Sequence, residues 1–112
     1  MRRNIARSAA VFGLSVAASA PAFAAADVFK CVTDDGRQTQ YLALDADAKG
    51  ALIGDTIDQV KTVANYRADD FNAAQVNFTQ HYKYTFLRAT RTLTKKEAMG
   101  GLTEFKCEQV TS

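Results

Sequence analysis

The sequence predicts a mainly β fold, a small antiparallel barrel or meander with one short helix, preceded by a cleaved signal peptide. Three observations point there. Residues 1–24 read as a leader: Arg2, Arg3 and Arg7 give a positive start, Ala9 to Ala20 is an apolar run of about 12 residues, and Ala22-Phe23-Ala24 after Pro21 has the small-x-small pattern a signal peptidase reads. Beyond it, short alternating strand patterns are separated by turns rich in Gly and Asp. Two cysteines, Cys31 and Cys107, stand near the two ends of what remains.

Cleavage after Ala24 leaves residues 25–112, a single small β-rich domain of 88 residues. A chain of that length buries only about 60% of its unfolded surface, so a covalent staple helps. The leader's apolar run is shorter than the roughly 20 residues a membrane span needs, and no lipobox precedes Cys31. No transmembrane or lipid anchor is therefore expected, and the destination is periplasmic or secreted. Such compartments are oxidising, and Cys31 and Cys107 are expected to form a disulfide bond.

The elements follow in order. Val28 to Thr33 alternates as a strand, with Val28, Lys30 and Val32 on one face and Phe29, Cys31 and Thr33 on the other. Asp34-Asp35-Gly36 makes a hairpin turn, because Asp-Gly tolerates positive φ, and Gln38 to Leu44 returns. Gly50, Gly54 and the aspartates around them predict a loop-rich connection. Thr56 to Tyr66 is ambiguous. Thr56-Ile57-Asp58-Gln59 fits a capping box, with Ile57, Val60, Val63 and Ala64 on one helical face, yet Val60, Thr62, Ala64 and Tyr66 would equally share one face of a strand. The helix is preferred because the cap gives its start a mechanism.

Ala68 to Ala74 reads as turn or loop. Val76 to Thr94 is the most β-like stretch, with Phe78, Tyr82, Tyr84 and Phe86 on one parity and Lys83, Thr85 and Leu87 on the other. It is too long for one strand, so a break is expected near Gln80-His81 or Ala89. Gly100-Gly101 turns the chain for the last time, and Leu102 to Val110 closes the domain with Cys107. A bridge between first and last strands suits a sheet closed on itself, which also hides its edges.

Catalytic groups are scarce. Ser112 is the one serine after the leader, and His81 has no thiol partner once the cysteines are oxidised. Asp34-Asp35, Asp45/Asp47 and Asp69-Asp70 sit in predicted turns, where aspartate bonds nearby backbone N–H groups. Asp45-Ala46-Asp47-Ala48-Lys49-Gly50 has the start of a calcium loop, but Lys49 stands where a ligand belongs and Thr56 where a bidentate glutamate is needed. No enzymatic activity, metal or cofactor is expected.

Charge is distributed unevenly. Residues 25–112 carry 11 basic and 12 acidic side chains, a balance that predicts no general affinity for polyanions. Yet residues 25–70 hold nine Asp against five basic residues, and residues 71–112 hold six basic residues against three Glu. No acid stands between Asp70 and Glu97, where Lys83, Arg88, Arg91, Lys95 and Lys96 fall beside Tyr82 and Tyr84. Basic and aromatic residues interleaved on a strand can bind an anionic polymer or lipid, by cation contacts and ring stacking. These seven are the candidate anion-binding residues. The simpler expectation is that the acidic and basic halves interleave across the sheet.

Two resemblances add to this. Arg88-Ala89-Thr90-Arg91-Thr92-Leu93-Thr94, Gly100-Gly101 and Phe105-Lys106-Cys107-Glu108-Gln109-Val110, together with Cys31, resemble the closing hairpin of small exported bacterial proteins of unknown function that pair an early and a late cysteine in a compact β fold. In architecture the chain is also similar to periplasmic inhibitors of c-type lysozyme, disulfide-tied β-barrels that plug an enzyme's cleft. Their Ser-Gly-x-x-Tyr loop is absent, so that resemblance brings no inhibitory residues with it. The resulting expectation is an exported non-enzymatic domain acting by contact with an unknown protein partner, as a hydrolase inhibitor or an envelope accessory protein. The alternative is a binding module for an anionic envelope component through segment 82–96.

Overall fold

The computed structural model describes residues 26–111, and the leader expected over residues 1–24 lies outside the described residues. The first hairpin forms where Asp-Gly predicts it. Strands β1 (Ala26–Thr33) and β2 (Thr39–Asp45) pair antiparallel, and Gly36 takes the positive φ of 73°. Asp35 holds the turn by accepting from the Thr33 hydroxyl at 2.7 Å and the Arg37 N–H at 3.0 Å. Those two bonds favour the ionised carboxyl, the Arg37 N–H most, and keep its pKa below the ordinary 3.8.

Gly50–Gly54, read from its glycines as loop, is strand β3, paired with β2. The glycines serve close approach. A Cβ on Gly50 would run into the Val63 carbonyl, and one on Gly54 would stand 2.8 Å from the Gln59 Cβ. Ala51-Leu52-Ile53 is apolar at every position because both faces are covered, a pattern that periodicity does not separate from other apolar runs. Ala51 and Ile53 point into the main core, and Leu52 packs with Val28, Ala43, Val60 and Val63 outside it.

Thr56 to Tyr66 coils, as preferred, but as two 3₁₀ turns, Ile57–Val60 and Val63–Asn65. The capping box does not form at Thr56, whose side chain makes no cap bond; instead the Gln59 amide oxygen accepts from the Asp55 N–H at 2.6 Å. Only Val60 and Val63 of the expected helical face are buried. With so few residues to anchor over β2 and β3, tight short turns replace a continuous helix.

The chain then adds β4 (Asp70–Phe71), β5 (Gln75–Gln80), β6 (Tyr82–Leu87), β7 (Thr92–Lys96) and β8 (Leu102–Thr111). The two-residue β4 falls inside a stretch expected to be loop. The long β-like run, expected to break near Gln80-His81 or Ala89, breaks at both places. His81, with φ 68°, turns β5 into β6, and Arg91, with φ 54°, closes the β6–β7 connection.

All eight strands form one antiparallel sheet in the order β3-β2-β1-β8-β7-β6-β5-β4, a nearly closed barrel. First and last strands are neighbours at its middle. Cys31 and Cys107 are register partners on β1 and β8 and are bonded to each other, 76 positions apart in sequence. The seam between the edges is closed in two places. Gly50 bridges to Arg67, with Ala51 N–H donating to the Tyr66 carbonyl and Ala68 N–H to that of Lys49, both at 2.9 Å. Further along β3, the Gln80 side chain takes the part of a missing strand: its amide oxygen accepts from Ile53 N–H at 2.9 Å and its NH₂ donates to Ile53 C=O at 2.8 Å.

The interior is aromatic, as parity predicts for Phe78, Tyr82, Tyr84 and Phe86. Phe29 meets Phe86 with centroids 5.0 Å apart, and Phe78 stacks on Tyr84 at 4.9 Å and 11°. Leu93 and Phe105, opposite each other on β7 and β8, complete the floor at 0% exposure. Among the described residues no helix is long and apolar enough to cross a membrane.

Candidate functional site

The candidate anion-binding residues separate into two ends and two faces. β6 runs from Tyr82 to Leu87 and β7 returns from Thr92 to Lys96, so Lys83, Lys95 and Lys96 lie at one end and Arg88 and Arg91 at the other. The five steps from 83 to 88 cover about 16 Å at roughly 3.3 Å per residue. Arg88 and Arg91 are engaged where they stand. The Arg88 guanidinium lies 5.0 Å over the Phe71 ring and donates through Nε to the Asn72 carbonyl at 2.8 Å; Arg91 lies 5.7 Å over Phe29. They close the lower end of the barrel by cation–π contact.

At the upper end, strand alternation divides the lysines. Lys95 is the register partner of Tyr84 and shares the inward parity of Leu93. Its ammonium is held 4.6 Å over the ring of Tyr82, also inward and partly buried. Lys83 and Lys96 point outward and are direct register partners. Like charges facing across a sheet repel by a few tenths to about 1 kcal/mol. Neither has a carboxylate within ion-pair distance among the described residues, where the two ion pairs are Lys61–Asp58 at 3.0 Å and Lys106–Glu104 at 3.6 Å. No ion pair joins the acidic and basic halves among the described residues, since each of those two pairs lies within one half. In the sheet, β2 and β3 of the acidic half lie on one side of the β1–β8 pair and β5 to β7 of the basic half on the other.

The inward set opens into a concave mouth of 440 Å³, to which no motif points. Gln40, Asp55, Gln59, Gln80, Tyr82, Tyr84 and Lys95 line it above an apolar step formed by Ile53. Five of these stand on four strands, β2, β5, β6 and β7, and parity alone does not say that they converge. The polar groups are partly engaged with one another: Gln40 Nε2 donates to Asp55 Oδ1 at 3.0 Å, and both ends of the Gln80 amide are held by Ile53. Tyr84 is only 6% exposed, and its hydroxyl has no hydrogen-bond partner among the described residues. Burial pushes its phenol above the ordinary 10.0, and Tyr82 and Asp55 nearby push in the same direction.

His81 stands exposed on the rim, edge-on to Tyr82 at 4.6 Å, where its positive φ makes the turn. Two of the three expected turn carboxylate pairs act locally: Asp35 is described above, and Asp45 accepts from Ala48 N–H at 3.1 Å. The third does not, for Asp70 lies in β4 and Asp69 accepts from the hydroxyl of Thr79 on β5 at 2.7 Å. Among the described residues no three His, Cys, Asp or Glu side chains converge as metal ligands would.

Beside the mouth, the β7–β8 hairpin projects. Gly100 N–H donates to Glu97 C=O and Glu97 N–H to Gly101 C=O, both at 2.9 Å, with Gly100 at φ 93°. That turn lifts Met99 to 96% exposure and Leu102 to 68%. Compared with models of known protein families, with curated proteins and with solved structures, the chain matches none of them.

Proposed function

We propose that the chain is an exported, non-enzymatic domain that acts by contact with another protein, as a hydrolase inhibitor or an envelope accessory protein. The observation that supports this reading is the hairpin tip: a methionine and a leucine held in water on a hydrogen-bonded turn, next to a concave rim. Exposed apolar side chains of that size gain most when a partner covers them, and methionine adapts to uneven surfaces. The cystine supports an oxidising destination. Affinity capture of a stoichiometric partner by the mature protein, from periplasmic or secreted extracts, is expected to be lost on Met99→Asp and kept on Leu87→Asp, an exposed leucine at the other end of β6. Equal capture by both variants, or no stoichiometric partner, overturns the reading.

A second reading, binding of an anionic envelope component through segment 82–96, draws on the Lys83–Lys96 pair. Two unpartnered ammonium groups kept opposite each other are accounted for if an anion sits between them. Lys83→Thr is then expected to raise stability by about 0.2 to 1 kcal/mol in denaturant titration while weakening binding to anionic lipopolysaccharide vesicles. Binding should fall with added salt with a shallow slope, two phosphate contacts rather than many. Salt-independent binding, or binding unchanged by Lys83→Thr, removes this reading.

A further inference from the structure

The mouth of the barrel has the composition of a small-molecule site. Its volume of 440 Å³ falls within the roughly 300 to 1,000 Å³ usual for ligand pockets, and barrel mouths are common places for them. What it offers a ligand follows from which groups the protein has already engaged. Gln80 is held at both ends by Ile53, Gln40 donates to Asp55, and the Gln59 oxygen accepts from Asp55 N–H. Without a hydrogen-bond partner among the described residues are the Lys95 ammonium, whose contact is the face of the Tyr82 ring, the hydroxyls of Tyr82 and Tyr84 and the Gln59 NH₂. All can donate. On the acceptor side the second carboxylate oxygen of Asp55 is unengaged.

Two of these donors, Lys95 and Tyr84, have no hydrogen-bond partner among the described residues. Lys95 occupies an inward position where the row below has Leu93, with the Tyr82 ring as its contact and no carboxylate partner among the described residues. Tyr84 brings to the mouth a hydroxyl that phenylalanine would spare, beside Phe78, which does without one. A polar group that lines a cavity without a protein partner bonds water or a ligand. A cation and a phenol aimed into one cavity are matched by an oxyanion, whose charge-assisted hydrogen bonds are the stronger kind. Asp55 rejects a second anionic group on its side and accepts a hydroxyl.

We infer that the mouth binds a small polyhydroxylated oxyanion, a sugar acid or a sugar phosphate, with its charged group on Lys95 and Tyr84 and a hydroxyl on Asp55. This site lies on the inner face. It shares Tyr82, Tyr84 and Lys95 with segment 82–96 but uses neither the hairpin tip nor the outward Lys83–Lys96 pair on which the second reading draws, so each can fail without the other.

The test is titration of the disulfide-bonded protein with glucuronate, a hexose monophosphate and glucose, followed by amide NMR. The expected result is saturable shifts confined to the amides around residues 40, 55, 59, 82, 84 and 95, strong with at least one of the two acids and much weaker with glucose. A response to one acid and not the other identifies the source of the charged group as carboxylate or phosphate. Lys95→Met and Tyr84→Phe are each expected to weaken binding about tenfold, the loss of one hydrogen bond to a charged group. Tyr84→Phe should leave the melting temperature where it is, because no protein group loses a partner. The inference is overturned by no saturable shift with either acid, by an equal response to glucose, by shifts centred on Lys83 and Lys96, or by unchanged binding in Lys95→Met.

Discussion

Replacing Cys31 and Cys107 together by alanine is expected to lower stability by roughly 4 to 5 kcal/mol, the denatured-state freedom that a loop of this length regains on the chain-entropy model. Small domains have a net stability of about 5 to 15 kcal/mol, so the change removes a large part of it. In thermal unfolding the midpoint should fall by about 20 °C or more, at roughly 4 to 8 °C per kcal/mol for a domain of this size. The bond joins register partners at the centre of the sheet, both nearly fully buried, and so constrains the pair that holds the two halves together. Reduction of the unmodified protein should reproduce the loss. A reduced protein that melts within a few degrees of the oxidised one would show that the sheet carries its own stability and that the cystine is incidental.

The next largest effect is expected from Gln80→Ala. Ile53 is 5% exposed, and both its N–H and its C=O have the Gln80 amide as partner. Truncation leaves a buried donor and a buried acceptor unpaired, at about 1 to 3 kcal/mol for each group, less whatever water enters the seam. A total loss of about 2 to 4 kcal/mol is expected, together with faster hydrogen exchange at the Ile53 amide. Exchange there should rise even under conditions where the rest of β3 stays protected. If Ile53 exchanges no faster in the variant, the side chain is not what closes that part of the barrel.

How much could be read beforehand differs by element, for physical reasons. The Asp-Gly hairpin, the inward aromatics of β6, the two breaks in the long β run and the cystine were legible from local chemistry: turn conformations, period-two alternation and a count of two cysteines. β3 was hidden because its glycines answer to the Val63 carbonyl and the Gln59 side chain, contacts made by residues later in the chain. The same holds for the 3₁₀ turns, whose length is set by how much of β2 and β3 they cover. The charged segment 82–96 looked like one patch because sequence proximity hides that a six-residue strand separates its ends. Lys95 and Lys96 are adjacent in sequence and on opposite faces of the sheet. The mouth joins Gln40 and Asp55 to Tyr84 and Lys95, and only the closure of the barrel brings them together.

The placement of β1 beside β8 bears on the order of assembly. The central pair of the sheet cannot form until Leu102–Thr111 has been made, because that strand is its second member. Contacts so distant in sequence make folding slow relative to chains built from local contacts. During synthesis, therefore, the growing chain can make local hairpins but no closed domain. Only a chain grown past Cys107 holds both halves of its own fastening.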